Sequence, residues 1–184
     1  MSTSATKTQV EPGTYAIDPI HSTVGFEVEH LGISRFRGRF RDFSGSLRFD
    51  ESGELAGVEG EIEVTSVDVR EEMLAQHLRS EEFFWTERYP KARFSATRIE
   101  RTGEGRWRVE GNFELRGATH PVALDVELRG ATVDMQGKPR VSLAAQGALD
   151  RKQWGLSWDA TLENGTKVLG DEVTLVLEVE AQKQ

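Results

Sequence analysis

The stretch Val122-Ala123-Leu124-Asp125-Val126-Glu127-Leu128 decides the fold. Apolar side chains at 122, 124, 126 and 128 alternate with smaller or charged ones between them. A period of two puts successive side chains on opposite faces of an extended strand, so this segment has one dry and one wet face. Outward from it the same rhythm recurs. Val24, Phe26 and Val28 alternate with Gly25, Glu27 and Glu29, and Trp107, Val109, Phe113 and Leu115 alternate with Arg108, Glu110, Asn112 and Glu114. Val173, Leu175, Leu177 and Val179 close the chain in the same way. Strands wet on one face and dry on the other are antiparallel, and about eight of them can close a barrel.

Turn chemistry separates the runs at Ser52-Gly53, Gly103-Glu104-Gly105, Gln136-Gly137 and Asn164-Gly165, the last suited to a type I′ hairpin. Two stretches break the period. Ser34 to Phe49 is long for one strand, and its apolar parity flips between Phe40 and Phe43, which predicts a bulge near Arg41-Asp42. In Val69 to Ser80, Met73, Leu74, His77 and Leu78 recur at helical spacing, which predicts a short helical insertion near residues 70–85 running into an exposed Phe83-Phe84-Trp85. The expected fold is all-β: an extended antiparallel barrel as one domain over 13–184, preceded by a disordered polar tail over 1–12.

The chain has 184 residues, 23 Lys and Arg against 31 Asp and Glu, and a net charge of −8. A field of that sign disfavours nucleic acid and anionic membrane surfaces as general partners. There is no Cys, which excludes disulfides, thiol nucleophiles and thiolate metal sites. No apolar run is long enough for a membrane span. The polar start after Met1 resembles no export signal, so the expected compartment is cytoplasmic. His21, His30, His77 and His120 show no metal-ligand spacing, so no metal is expected. Arg35, Arg37, Arg39 and Arg41 share one strand face, expected to be solvated and paired with acids such as Glu59, Glu61 and Glu63.

The aromatic residues, nine Phe and four Trp with two Tyr, carry the functional signal. Several occupy dry positions. They either pack a solid core, as in an interaction module, or line an apolar tunnel able to hold one small ligand. By parity, Val24, Phe26, Val28, Phe40, Phe94, Leu124 and Val126 would line such a bore. Met73, Leu74, Leu78, Phe83, Phe84 and Trp85 would form its mouth, and Trp154 and Trp158 would stand in its wall. No polar group on dry parity recommends itself for catalysis, so no catalytic residue is assigned and no enzyme is expected. An enzyme acting on an isoprenoid or lipid in the same cavity is the alternative.

The run Tyr15-Ala16-Ile17-Asp18-Pro19-Ile20-His21-Ser22-Thr23-Val24-Gly25-Phe26 closely resembles the start of the YceI-like family. So do Gly38-Arg39-Phe40 leading to Phe43-Ser44-Gly45, then His77-Leu78-Arg79-Ser80-Glu81-Glu82-Phe83-Phe84 with Tyr89-Pro90, and Leu115-Arg116-Gly117-Ala118-Thr119-His120-Pro121-Val122. The resemblance implies a lipocalin-like barrel that binds a polyisoprenoid, an isoprenoid quinone or a fatty-acid derivative inside it, for transport, storage or presentation. It implies that lipid as ligand and no separate cofactor. Family habit suggests a homodimer. Two departures stand at the helical insertion: Ala75-Gln76 where the family commonly has Arg-Asp, and Trp85 where it has Asp after Phe-Phe.

Overall fold

The computed structural model describes residues 9–184. Eleven strands, one α-helix and two 3-10 turns follow in chain order. They are β1 (Gly13–Ile17), β2 (Thr23–His30), β3 (Ser34–Phe40), β4 (Phe43–Phe49), β5 (Leu55–Glu63), β6 (Val67–Asp68), α1 (Glu72–Arg79), β7 (Lys91–Gly103), β8 (Arg106–Leu115), β9 (Ala118–Val133), β10 (Pro139–Asp150) and β11 (Leu169–Lys183). All ladders are antiparallel. β1 and β2 both pair with β11 and form one broken stave, while β4 and β3 pair with them in turn and form a second. With β5 and β7 to β11 the wall is a closed barrel of eight staves.

Each break is patched by a serine hydroxyl. At the first, Ser22 Oγ donates to the Glu180 carbonyl at 3.1 Å and accepts the Glu180 N–H at 2.9 Å, replacing a ladder rung. At the second, Ser66 Oγ accepts from the N–H groups of Arg41 (3.1 Å) and Asp42 (2.9 Å) and donates to the Glu63 carbonyl. The parity flip at Arg41-Asp42 is therefore a full interruption of the stave, one step beyond a bulge. Beyond it β4 stays on β5, but β3 leaves β5 and pairs only with β2 and, at Arg39 and Phe40, with β6. Residues 64–90 fill the gap so opened. Glu71 caps α1, its carboxylate accepting from the N–H groups of Met73 and Leu74.

The two ends of the barrel differ. At the end of the β4–β5, β7–β8 and β9–β10 turns, Tyr15, Phe49 and Trp107 stack edge to face, with centroids 5.4 and 6.4 Å apart. Trp107 Nε1 donates to Glu54 at 2.8 Å. Val10, within the segment expected to be a polar tail, is 5% exposed and joins this plug, while residues 1–8 of that tail lie outside the described residues. Its side chain is apolar and joins the hydrophobic core, and its carbonyl lies against Gly53 of the β4–β5 turn.

The other end carries the long segments, 64–90 and 151–168. Phe83 and Phe84, expected to be exposed, are buried because the turns after α1 fold them back onto the barrel. The 151–168 segment is anchored by Arg151, 3% exposed. Its guanidinium donates to the carbonyls of Gly170 (2.8 Å), Leu156 and Trp158 (2.8 Å). The Asn164-Gly165 turn has a positive φ only at Gly165 (85°), whose N–H donates to Leu162 O; it is therefore a type I turn with a bulge, not type I′. The Arg35–Arg41 face pairs with Glu27 and Asp68 and not with Glu59, Glu61 or Glu63, because β3 is not β5's neighbour.

A second polar cluster braces the outside of the barrel. Arg140 contacts Asp18 (3.0 Å), Asp134 (3.0 Å) and Glu180 (2.8 Å), tying the first break to β10 and β11. The hydrogen bond to His21, and then Arg140, hold the Asp18 carboxyl far below its usual range. The Lys138 N–H, and then Arg140, lower Asp134 to about 2. Carboxyls depressed by folding stabilise the fold above their unfolded value, and that stabilisation is lost as pH falls toward the folded one. The thermal midpoint should therefore drop between about pH 4 and pH 2, and Arg140→Met should flatten that drop in a melting series. Arg151→Met leaves three carbonyls without their donor. It should cost about 2–4 kcal/mol by urea titration and expose residues 151–168 to hydrogen exchange.

Candidate functional site

The barrel encloses a cavity of about 490 Å³ between the aromatic plug and the segments 64–90 and 151–168. That falls within the ordinary range of about 300–1,000 Å³ for small-ligand sites. Its wall comes from the dry faces of the staves. β2 supplies Val24, Phe26 and Val28, β9 supplies Val122, Leu124 and Val126, and β11 supplies Val173, Leu175, Leu177 and Val179. Phe36, Phe40, Phe43, Phe94 and Phe113 add the rings. Few polar residues border it: His30, Ser44, Glu59, Glu61, His77 and Arg151.

Glycines explain how so many rings leave room. Phe26 pairs across the ladder with Gly38, and a Cβ on Gly38 would overlap the Phe26 ring. A Cβ on Gly111 would overlap Phe94 in the same manner. The far end of each ring lies over bare backbone, in the space a side chain at the glycine would otherwise take. Phe26, Phe40 and Phe84 then form a triangle with centroids 5.7 to 6.3 Å apart.

The mouth is framed by α1 and the 151–168 segment. His77, Phe83 and Trp158 are in mutual ring contact at 4.9 to 5.9 Å. His77 Nε2 lies 2.6 Å from Glu82 Oε2. The wall beside β3 has a seam: residues 34–38 pair with β2 on one edge and, among the described residues, with no strand on the other.

Of the residues expected at the site, Val24, Phe26, Val28, Phe40, Leu74, Leu78, Phe83, Phe84, Phe94, Leu124, Val126 and Trp158 border this one cavity. Met73 does not. It sits one position from Leu74 on α1, and the turn of the helix leaves it 77% exposed. Nor does Trp154, which is 1% exposed and donates Nε1 to the Phe113 carbonyl at 3.0 Å. Its ring packs on Phe113 and His120, sealing the wall from behind. Trp85 also stands apart, at φ 51°, a left-handed conformation that an Asp reaches more readily than a bulky ring. Arg88, Arg116 and Tyr89 clamp it outside the cavity. Sequence reasoning missed Phe43, Ile62, Leu169 and Arg151 as wall residues. Phe43 and Ile62 are cross-strand partners, so pairing β4 with β5 would have found them together.

Asp18, His21 and Glu180 bring possible metal-ligating atoms within 4.8 Å of one another. Arg140 already bridges the two carboxylates and supplies the positive charge there, so the cluster reads as a structural ion-pair network. It lies on the outer wall and contributes nothing to the cavity.

A family model described as YceI-like domain matches residues 15–181. The protein YceI of Escherichia coli O157:H7 is 34% identical over 165 residues, covering 89% of this chain and 83% of that one. The crystal structure of the Campylobacter jejuni YCEI protein superposes with a TM-score of 0.73 at 26% identity, over 85% of this chain and 90% of that one. A polyisoprenoid binding domain from Saccharophagus degradans shares the fold, with a TM-score of 0.67 at 14% identity over 92% of this chain and 98% of that one. With its barrel, its motif order and a match across nearly its whole length, the chain belongs to the YceI-like domain family.

Proposed function

We propose that this protein binds one long-chain apolar or amphiphilic molecule, a polyisoprenoid, isoprenoid quinone or fatty-acid derivative, and carries, stores or presents it. The observation that carries this reading is the cavity of about 490 Å³ with its almost wholly apolar wall. The description of the Saccharophagus relative as polyisoprenoid binding supports the ligand class. Energetics favour a long chain. Each buried CH₂ contributes about 0.8 kcal/mol, so fifteen carbons contribute about 12 kcal/mol. Association alone costs about 4–15 kcal/mol, so short chains would not hold. The polar end of the ligand lies toward the mouth, near His77 and Arg151. Those groups favour binding over chemistry, since His77 is engaged by Glu82 and Arg151 by backbone carbonyls.

Solvent extraction of the purified protein, followed by mass spectrometry, should release a stoichiometric long-chain lipid. Finding none, together with no uptake of added quinones or fatty acids, would overturn the proposal. Two variants refine it. Phe26→Asp should weaken uptake of a fluorescent fatty acid by tenfold or more while the far-ultraviolet dichroism stays that of the barrel. Gly38→Ala should lift the Phe26 ring off the wall into the bore and reduce the chain length accepted, read by competition with fatty acids of graded length.

A further inference from the structure

Large apolar side chains stand exposed on three separate elements around the mouth. Ile33, 86% exposed, tips the β2–β3 turn; Met73, 77% exposed, projects from α1; and Leu162, 43% exposed, opens the turn of the 151–168 segment. The elements are contiguous. The Leu31 N–H donates to the Val168 carbonyl at 2.9 Å, joining the β2–β3 turn to the 151–168 segment. The His77 and Trp158 rings join that segment to α1. At the plugged end, by contrast, the exposed apolar side chains Val133 and Met135 sit on a single hairpin with no opening beneath them. Ile20 lies on the flank, at the first break.

Charge is arranged unevenly about the same rim. On β3 and just after it, Arg35 and Arg37 share one carboxylate, Glu27, and Arg39 and Arg41 share one, Asp68. Arg70 stands beside Arg37 and Arg39 in a shallow groove on that flank. Glu29 stands opposite Arg35 in the β2–β3 ladder, so along this flank five arginines, at 35, 37, 39, 41 and 70, face the three carboxylates of Glu27, Glu29 and Asp68, on a chain whose net charge is −8. Several rim acids are already engaged: Glu72 by Arg79, Glu82 by His77, Glu71 by the first N–H groups of α1. Strands rise about 3.3 Å per residue, so Arg35 and Arg37 follow Ile33 within about 7 and 13 Å, the depth of a lipid headgroup layer and just beyond it. Net charge disfavours an anionic surface only at long range; within a Debye length of about 8 Å the local cations decide.

We propose that the mouth end docks on a phospholipid bilayer carrying anionic lipid. Ile33, Met73 and Leu162 enter the interface, and Arg35 and Arg37 meet the headgroups. This rests on the reading of the cavity as a lipid site, and it supplies what that reading needs: an apolar chain passes between bilayer and bore without crossing water. The apolar tips anchor, the arginines orient, and the unpaired β3 edge stands beside the opening.

The test is co-sedimentation of the full chain with vesicles, one set of phosphatidylglycerol and phosphatidylethanolamine, the other of phosphatidylcholine alone. Wild type should bind the anionic set more strongly, and added salt should weaken that binding. The triple variant I33D/M73D/L162D should lose at least tenfold in vesicle binding, and R35E/R37E should lose the preference for anionic lipid. Met135→Asp, at the far end, should change nothing. In parallel, cis-parinaric acid uptake in detergent-free buffer reports the cavity. Wild type that takes up parinarate but ignores vesicles overturns the docking proposal and leaves the cavity reading standing. Equal vesicle binding by wild type and the triple variant overturns it too. A wild-type dimer that the triple variant turns into monomer, without vesicle binding, reassigns the rim to a second copy of the chain and also overturns it. Failure of both parinarate and vesicle binding removes both readings.

Discussion

The cavity depends on one constraint: two neighbouring staves are interrupted at the same level of the wall. β1 stops at Ile17 and β2 resumes at Thr23, while the adjacent stave stops at Phe40 and resumes at Phe43. Below the breaks the ladder from β1 through β4 to β5 is continuous, and the barrel is narrow enough for Tyr15, Phe49 and Trp107 to fill it. Above them β3 is free of β5 and the wall opens. An interruption in a closed sheet normally strands backbone donors, which is costly in a wall that is dry on one side. Ser22 and Ser66 remove that cost, each giving one hydroxyl as both donor and acceptor. Neither serine borders the bore, so each supports the break in its stave from outside the cavity.

The same alternation produces a packed plug at one end and a hollow at the other, and two glycines in the hollow make room for its rings. At the plug Tyr15, Phe49 and Trp107 project inward and meet, and although Gly13 is the ladder partner of Phe49, a Cβ there would meet Lys183 and not the ring. In the hollow, Gly38 and Gly111 let the ends of the Phe26 and Phe94 rings rest against the backbone. The cost of a missing side chain in a strand is about 0.5–1 kcal/mol per glycine. The wall coated by those rings offers a ligand flat, polarisable surface in return, and an aromatic over a bare glycine also shields the ladder there from water.

Alternation made the strands, the barrel class and the wall side of Val24, Phe26, Leu124 and Val126 readable, because a period of two is a local property. The parity flip at Phe40 and Phe43 was local as well, and so was visible. What depends on partners across the sheet was not. The arginines of β3 face Glu27 and Asp68, and only the departure of β3 from β5 explains why they do not face Glu59 to Glu63. The break at Asp18 to Ser22 hid behind an apolar Ile20 that turned out to be exposed. Phe83 and Phe84 read as exposed since nothing in their neighbourhood shows that the chain turns back after Ser80. Met73 and Leu74 differ by one helical step, which separates solvent from cavity, and no spacing rule fixes the phase of so short a helix.

A hollow of this kind has consequences for folding as well as binding. Engineered core voids cost about 24 cal/mol per Å³, so a sealed, empty void of about 490 Å³ would cost roughly 12 kcal/mol. That rivals the whole stability of an ordinary domain, about 5–15 kcal/mol. The barrel avoids part of this by opening at the mouth, while the plug closes the other end, the Arg140 network braces the outer wall and Arg151 anchors the 151–168 segment. An apolar occupant that binds the folded barrel and not the unfolded chain would complete the core and raise stability by mass action. Filling the bore and holding the barrel together would in this sense be one equilibrium, because the same side chains, Leu124, Val126 and Val179 among them, belong both to the wall of the cavity and to the hydrophobic core.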